Sequence, residues 1–232
     1  MLGALTAGAI VGLRWRARRR GRSAISMIDP RTILFSLPTI SESLPEAERT
    51  GLAADERNAG FLHEDSWRQC ELLPVGAADF VAATLQAIQR HRTQYGVGLG
   101  FREIYARPES PIPLVALGLT RGDLAAAFGS TSLFSSIYFA TEPLGMIRDS
   151  FGSLLPEIGY LYGTLQNESI GHLGVALVGT GNGALHPLSS FLSRHQLLLV
   201  DWLGGAVVMP GDTSGLATWV AAAVRVDPEA VI

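Results

Sequence analysis

The amino-acid sequence predicts a single α+β domain with a mostly antiparallel, mixed sheet and several short helices. Three observations favour this class. Of the 232 residues, 47% are hydrophobic and 17% are charged, which is a globular composition with enough apolar surface for a sizeable core. Apolar runs of strand length and segments with helical spacing follow one another in no regular order. No repeat with a period of roughly 20–50 residues is present, which argues against solenoids and propellers.

The first 26 residues differ in charge from the rest of the chain. They begin with about thirteen apolar or small residues, continue with six arginines and contain no acidic residue. The apolar run is shorter than the roughly 20 residues that a bilayer span needs, and its arginines follow it, whereas a secretory signal has them in front. We therefore predict that residues 1–26 are a disordered basic segment, a start-site artefact upstream of Met27, or a weak membrane anchor.

Residues 27–232 are predicted to form the globular domain, and this domain is acidic. They contain 12 of the 18 arginines and all 21 acidic residues, so their formal charge is −9. Such a surface repels nucleic-acid phosphates, and no basic stripe with interleaved aromatic residues occurs after residue 26. Specific nucleic-acid binding is therefore not expected, and membrane contact is expected only through residues 1–26. We predict a cytoplasmic location.

In the first half of this domain, strands are predicted where short apolar or aromatic runs are bounded by proline or charged residues. They are residues 31–38, 66–74, 101–107 and 114–119. The polar residues 39–65 are typical of a long loop, with one helical turn at residues 45–49. A glycine-rich run at residues 96–100 is predicted to be a helix cap followed by a linker.

Two helices are predicted in the same half. Over residues 77–92, the apolar residues Val81, Leu85 and Ile88 recur at helical spacing. This segment has an acidic residue in its first turns and basic residues in its last turn, as the helix dipole favours. The second helix, over residues 120–128, begins with a near capping box.

The second half is predicted to be richer in strands. Apolar runs predict strands at residues 135–140, 173–178, 196–202 and 206–209. Within the mixed stretch 142–165, a short helix is predicted near residues 145–151. A last helix is predicted over residues 213–224, with Asp212 or Thr213 as its N-cap.

The composition excludes several catalytic classes. The chain contains no lysine, so a P-loop lysine, a Schiff-base lysine and a Ser–Lys nucleophile pair are all ruled out. The one cysteine, Cys70, excludes an internal disulfide or a zinc site built on paired thiolates, and it is predicted to be a small buried hydrophobic residue. No nucleophile elbow, cysteine-protease signature or kinase motif occurs. We predict no catalytic residue, no cofactor and no metal.

The best candidate for a nucleotide site is the glycine-rich run at residues 179–184. It has the pattern G-x-G-x-x-[GA] after an apolar run, and Asp201 lies 20 residues beyond Gly181. In dinucleotide-binding folds such glycines let the backbone approach a pyrophosphate, and the acid accepts from a ribose hydroxyl. Pro187 and the short segment that follows it favour a turn between two strands instead. Gly179, Gly181 and Asp201 are kept as the candidates of this alternative.

The candidate partner surface belongs to the acidic loop over residues 42–65 and its aromatic end. Its chosen residues are Glu56, His63, Glu64, Asp65 and Trp67. Neighbouring side chains on a loop seldom converge on one metal ion, so a protein contact is the better interpretation.

Taken with the charge of the domain, these features predict a non-enzymatic interaction protein that binds a basic protein partner. In general character it is similar to the small acidic toxin-neutralising (immunity) proteins of bacteria. The alternative hypothesis is a small nucleotide-binding enzyme or module that uses residues 179–184 and Asp201.

Overall fold

The computed structural model of the chain describes residues 34–49, 59–140, 144–179 and 181–223. Within these residues the chain forms 15 strands and four helices. The strands are β1 (Thr39–Ser41), β2 (Ala47–Arg49), β3 (Ala59–Leu62), β4 (Cys70–Pro74), β5 (Gly96–Val97), β6 (Gly100–Phe101), β7 (Tyr105–Arg107), β8 (Leu133–Phe134), β9 (Ser136–Phe139), β10 (Gly145–Ile147), β11 (Ser150–Leu155), β12 (Gly159–Gln166), β13 (Ser169–Leu177), β14 (Leu197–Asp201) and β15 (Ala206–Val208). The helices are α1 (Ala78–Tyr95), α2 (Arg121–Phe128), α3 (Leu185–His195) and α4 (Thr213–Ala222).

The largest sheet in the described part of the chain has seven strands. Their order is β15-β14-β4-β13-β12-β11-β8, every pairing in it is antiparallel, and β15 and β8 are its edges. A four-stranded sheet, β2-β10-β9-β3, is antiparallel except where β3 pairs with β9. The strands β1 and β7 form a parallel pair, and β5 and β6 form an antiparallel hairpin. The predicted α+β class with a mixed, mostly antiparallel sheet is confirmed.

The large sheet is buried on both faces, and the side chains of β14 show how. Leu197 and Leu199 point into the core beneath α2, α3 and α4, whereas Leu198 and Val200 point into the core beneath α1. Side chains alternate between the faces of a strand, so a strand covered on both sides has an unbroken apolar sequence. Further along the sheet, the face opposite α2–α4 is covered by the four-stranded sheet, which packs on Tyr160 and Tyr162.

Two of the long strands, β13 and β14, run in the same direction although they are not neighbours. Each is antiparallel to β4, which lies between them. Helix α3 connects them across one face of the sheet, so β13, α3 and β14 form a split β-α-β unit. The carboxyl ends of β13 and β14 therefore lie at the same edge of the sheet as the amino end of β4.

Three of the predicted helices, α1, α2 and α4, are confirmed. The helix α1 occupies residues 78–95, close to the predicted 77–92. At α2, Thr120 and Asp123 form the complete capping box, in which each side chain bonds to the other's backbone N–H. At α4, Asp212 is the N-cap and accepts from the Gly215 N–H.

Other local predictions are wrong, and distant pairing explains most of them. Residues 39–65 are not a long loop with a helical turn, because they contain β1, β2 and β3, which pair with β7, β10 and β9. Residues 145–147 and 150–155 form β10 and β11 and not a helix, and Asp149 at φ +53° makes the turn between them. Residues 114–117 form a 3-10 turn and not a strand. Gly118, at φ +63°, ends this turn.

The N-terminal strand prediction is also displaced. Of the predicted residues 31–38, the described part contributes only an isolated bridge at Phe35, and the strand begins after Pro38. Residues 96–101 form a hairpin where a linker is predicted. The predicted domain boundary between residues 26 and 27 lies outside the described residues. None of the helices in the described residues is long and apolar enough to cross a bilayer.

Candidate functional site

A cleft of about 730 Å³ opens at the edge of the sheet where β13 and β14 end. Its walls are the last residues of β13, the edge strand β15, one face of α4, and the turn that connects β3 to β4. The size of this cleft is in the range of small-molecule and short-peptide sites.

The cleft is lined mainly by apolar side chains, and the charged side chains that the structure describes in it are acidic. Most of its lining side chains are apolar or small, such as Leu62 and Val207. Among the residues that the structure describes, its charged side chains are Asp65, Asp201 and Asp212, and none is basic. Asp65 belongs to the predicted partner surface and Asp201 to the predicted nucleotide site, so the fold brings one residue of each set to the same cleft.

Asp201 is held rigidly at the floor of the cleft. It is buried, its Oδ1 accepts from the Gly204 N–H at 2.6 Å, and its Oδ2 accepts from Trp219 Nε1 at 3.1 Å. The bond from Trp219 attaches α4 to the end of β14. The carboxylate thus has a structural role, and it also contributes negative potential to the cleft.

The other two aspartates lie at the rim and are exposed. Asp65 is 55% exposed, on a 3-10 turn, with His63 Nδ1 at 3.6 Å from its Oδ2. Asp212 Oδ1 accepts from the Gly215 N–H at 2.8 Å as the N-cap of α4. Both residues are exposed, so a cation can reach their side chains.

Some of the predicted partner residues are exposed, and one of them, Trp67, is buried. His63, Glu64 and Asp65 form the exposed turn, and Glu56 lies outside the described residues. Trp67 is only 3% exposed and packs against the rings of Phe139 and Tyr162. The Trp67 ring therefore packs in the core beneath the turn and is not available to a partner. Its prediction as a contact residue is wrong.

The backbone N–H groups of the glycine-rich run are already hydrogen-bonded to another part of the chain. The Gly181 N–H donates to the Glu157 carbonyl at 2.9 Å, and the Gly183 N–H donates to the Glu157 carboxylate at 3.1 Å. A Cβ atom at Gly179 or Gly181 would overlap Glu157. These glycines thus let the loop approach Glu157, whose backbone carbonyl and carboxylate accept from the N–H groups that a phosphate would need. Pro187 lies in the first turn of α3, where proline is tolerated, so the predicted simple turn between two strands is wrong.

Cys70 also lines the cleft, and it is half-buried. Burial raises the pKa of its thiol, and the negative charge of Asp201 adds to this. A thiol that stays protonated at neutral pH is a poor nucleophile. The prediction that Cys70 serves as a small apolar residue agrees with this environment.

A buried ionic network beside the cleft has no counterpart among the predicted residues. Arg68 donates from Nε to Glu71 at 2.6 Å and from Nη1 to Glu109 at 2.5 Å, while Trp202 Nε1 donates to Glu71 at 2.8 Å. Arg107 donates to the Arg68 carbonyl at 2.8 Å and lies 5.2 Å from the centre of the Trp202 ring. Burial lowers the pKa of Arg107 to about 10. The charged residue Glu71 inside the otherwise apolar strand β4, with Arg68 just before it, is the sequence signal that could have indicated this network.

Hydrogen bonds to backbone and side-chain groups hold Asp201 and Asp212 in the cleft, and they likewise hold Arg68 and Glu71 in the network. Comparison with protein-family models, with curated proteins and with solved structures finds no match to the chain.

Proposed function

We propose that this chain is a non-enzymatic binding protein whose cleft receives a basic, partly apolar segment of a protein partner. The observation that supports the proposal is the mainly apolar cleft whose charged residues, in the described part of the chain, are all aspartates. An arginine or lysine side chain suits such a site, because its aliphatic stem packs on apolar walls while its charged end meets carboxylates.

The charge of the whole domain supports the same partner. Residues 27–232 have a formal charge of −9, which accelerates the approach of a cationic protein and discourages anionic ones. Within this function we propose a toxin-neutralising role of the bacterial immunity type, in which the basic partner is the toxin. Expression of that toxin should then be tolerated by a cell only when this chain is also expressed.

A nucleotide-binding module is the second candidate, favoured by the order strand, glycine-rich loop, helix, strand and Asp201. Two features weigh against it. Glu157 already accepts from the Gly181 and Gly183 N–H groups, and the aspartates of the cleft would repel phosphates. Titration with ATP and NAD, followed by calorimetry, separates the candidates, since only the second one predicts heat of binding.

The main test replaces the rim charges. We expect the double substitution Asp65→Asn and Asp212→Asn to weaken binding of a fluorescein-labelled peptide of alternating Arg and Leu by about tenfold, because two partly exposed ion pairs are lost. Fluorescence anisotropy of the peptide gives the affinity. Asn caps a helix as well as Asp does, so α4 should keep its stability.

The matched control is the double substitution Asp79→Asn and Asp149→Asn, which removes two exposed charges away from the cleft. Its effect on the peptide affinity should be small. An equal loss in the control, or equal affinity for a peptide with Glu in place of Arg, contradicts the proposal.

Steric blocking provides a second test of the same site. Ala222 lines the cleft, whereas its exposed neighbour Ala221 does not. We expect Ala222→Phe to reduce peptide binding and Ala221→Phe to leave it unchanged. Unchanged binding in both variants would show that the peptide binds elsewhere.

A further inference from the structure

The backbone of β14 shows which groups of the edge strand β15 point away from the sheet. The Gln196 carbonyl accepts from the Val75 N–H, and the Trp202 N–H donates to the Gln69 carbonyl, both at 2.9 Å. Val75 and Gln69 flank β4, so the even-numbered residues of β14 direct their backbone groups to β4 and the odd-numbered residues direct theirs to β15.

This orientation assigns the outward backbone groups of β15 to Val207. The odd-numbered residues of β14 pair with Ala206 and Val208, which therefore take the hydrogen bonds of this ladder. Val207, between them, pairs with Val200, and its N–H and C=O point away from the sheet. Within the described part of the chain, no group bonds to them. An edge strand with such groups can be extended by a strand of another chain.

One face of this edge carries exposed apolar side chains. Val207 and Met209 are two residues apart, so their side chains lie on the same face of the chain. They are 38% and 47% exposed. A strand placed beside β15 would therefore contact apolar side chains with every second residue.

The other face of the same edge is acidic. Asp201 pairs with Ala206 and therefore lies on the face that α4 covers, where it accepts from a side chain of that helix. Asp212, the exposed N-cap of α4, lies in the turn that follows β15. Arg92 donates to the Leu203 carbonyl between β14 and β15, but it does not line the cleft.

We propose that the partner segment binds to β15 as an additional antiparallel strand in which basic and apolar residues alternate. The inference rests on the proposed function and specifies the conformation and the residue pattern of the partner. Apolar residues of the added strand pack beside Val207 and Met209, while the basic residues between them face Asp201 and Asp212. The antiparallel direction continues the pattern of the large sheet, in which every pairing is antiparallel.

The direction of the added strand determines which of its amides bond to β15. In an antiparallel pair, the residue that exchanges both hydrogen bonds with Val207 lies directly opposite it and shares its face. That residue is apolar in the proposed arrangement. The amides of the apolar residues therefore point to β15, and those of the basic residues point away from it.

The test compares three forms of the labelled peptide of alternating Arg and Leu by fluorescence anisotropy with the full chain. One form is unmodified, one is N-methylated at every Leu amide, and one is N-methylated at every Arg amide. We expect methylation of the Leu amides to weaken binding about tenfold, because it removes the donors that face β15. Methylation of the Arg amides should change the affinity little. A slip of the peptide by two residues restores no donor, since every amide on one edge is methylated.

The outcomes separate this inference from the proposed function. Equal losses for the two methylated peptides, or a loss confined to the Arg-methylated one, overturn the added antiparallel strand while the peptide still binds in the cleft. Absence of binding by the unmodified peptide contradicts the proposed function, and this inference with it.

A substitution in the chain tests the same hydrogen bonds from the other side. Val207→Pro removes the outward N–H, and proline is accepted at an edge strand where its nitrogen faces solvent. We expect it to weaken binding of the unmodified peptide about tenfold, whereas Val207→Thr, which keeps the N–H, should bind nearly as the unmodified chain does. The far-ultraviolet circular dichroism spectrum checks that both variants are folded. Unchanged binding by folded Val207→Pro overturns the proposal, and the methylated peptides decide it if this variant does not fold.

Discussion

At the scale of single residues, the described structure concentrates buried charge around Arg68. This residue has φ +56°, a conformation that is unfavourable for a non-glycine residue. Hydrogen bonds hold its backbone N–H, its carbonyl and its guanidinium. One of its partners, Glu109, also has His172 Nε2 at 3.8 Å, and His172 Nδ1 lies 3.1 Å from Thr164 Oγ1. A row of ionisable groups thus extends from the core to the surface.

The Glu109 carboxylate should make the stability of the chain depend on pH in the acid range. His172 and Arg68 hold its pKa well below the ordinary glutamate value. The carboxylate therefore stabilises the folded state above the pKa of an unfolded glutamate, and this stabilisation is lost as the pH falls through the depressed value. We expect Glu109→Gln to lower the free energy of unfolding by about 0.5–1 kcal/mol at neutral pH and by less in acid, as measured by urea unfolding.

The exposed residue Glu168 supplies the comparison for this experiment. Glu168→Gln should change the free energy of unfolding little at either pH. A loss for Glu109→Gln that is the same in acid as at neutral pH would show that its charge is not the stabilising property.

At the scale of elements, the loop between β13 and α3 depends on the turn between β11 and β12. Glu157 in that turn has φ +65° and accepts from two N–H groups of the loop. The loop conformation is thus set by a tertiary contact, and its glycines are required by the close approach of two backbones. This differs from a phosphate loop, in which glycines leave room for a ligand.

Substitution of Gly181 tests this explanation. We expect Gly181→Ala to destabilise the chain by about 1–3 kcal/mol in urea unfolding, because its Cβ would overlap the Glu157 side chain. Glu157→Gly removes that side chain and suits the positive φ, so the double variant should be more stable than the sum of the two single effects predicts. Strict additivity would mean that the two residues do not interact.

At the scale of the whole molecule, β4 connects the two halves of the large sheet. It lies between β14 and β13, and its adjacent residues Leu72 and Leu73 belong to the cores on opposite faces. Its partners are distant in sequence, since Glu71 pairs with Gly174 and with Val200. Formation of the large sheet in the described residues therefore requires long-range pairing before the cleft exists.

A single cooperative unfolding transition is the consequence of this shared strand. We expect Leu72→Ala to lower the free energy of unfolding by about 2–5 kcal/mol without dividing the transition, because both halves lose the same support. Circular dichroism in the far and near ultraviolet should give coincident curves. Two separated transitions would contradict a central role for β4.

The sequence predicts the elements whose signals are local and misses those that depend on distant partners. The capping box at Thr120 and the unbroken apolar run of β14 are sufficient on their own. By contrast, residues 145–163 contain glycines that are typical of loops but that lie in strands. At Gly152 a Cβ atom would overlap Phe134, and this packing is not visible in the local sequence.

The same distinction applies to the candidate site. Asp65, Asp201 and Asp212 are each noticed in the sequence, for three different reasons: an acidic loop, a spacing from glycines and a helix cap. Their convergence follows from the insertion of β4 between β13 and β14, which no local pattern reports. The burial of Trp67 likewise follows from rings contributed by β9 and β12.

The edge strand β15 lies next to the aspartates of the cleft, and this bears on self-association of the chain. This strand ends the seven-stranded sheet within the described residues and also lines the cleft, with Val207 partly exposed. An open edge is a template on which another copy of the same chain can add a strand and begin to aggregate. Two copies that approach in this way bring their aspartates together, and like charges oppose the pairing. We therefore expect the acidic rim to oppose the pairing of two copies at this edge.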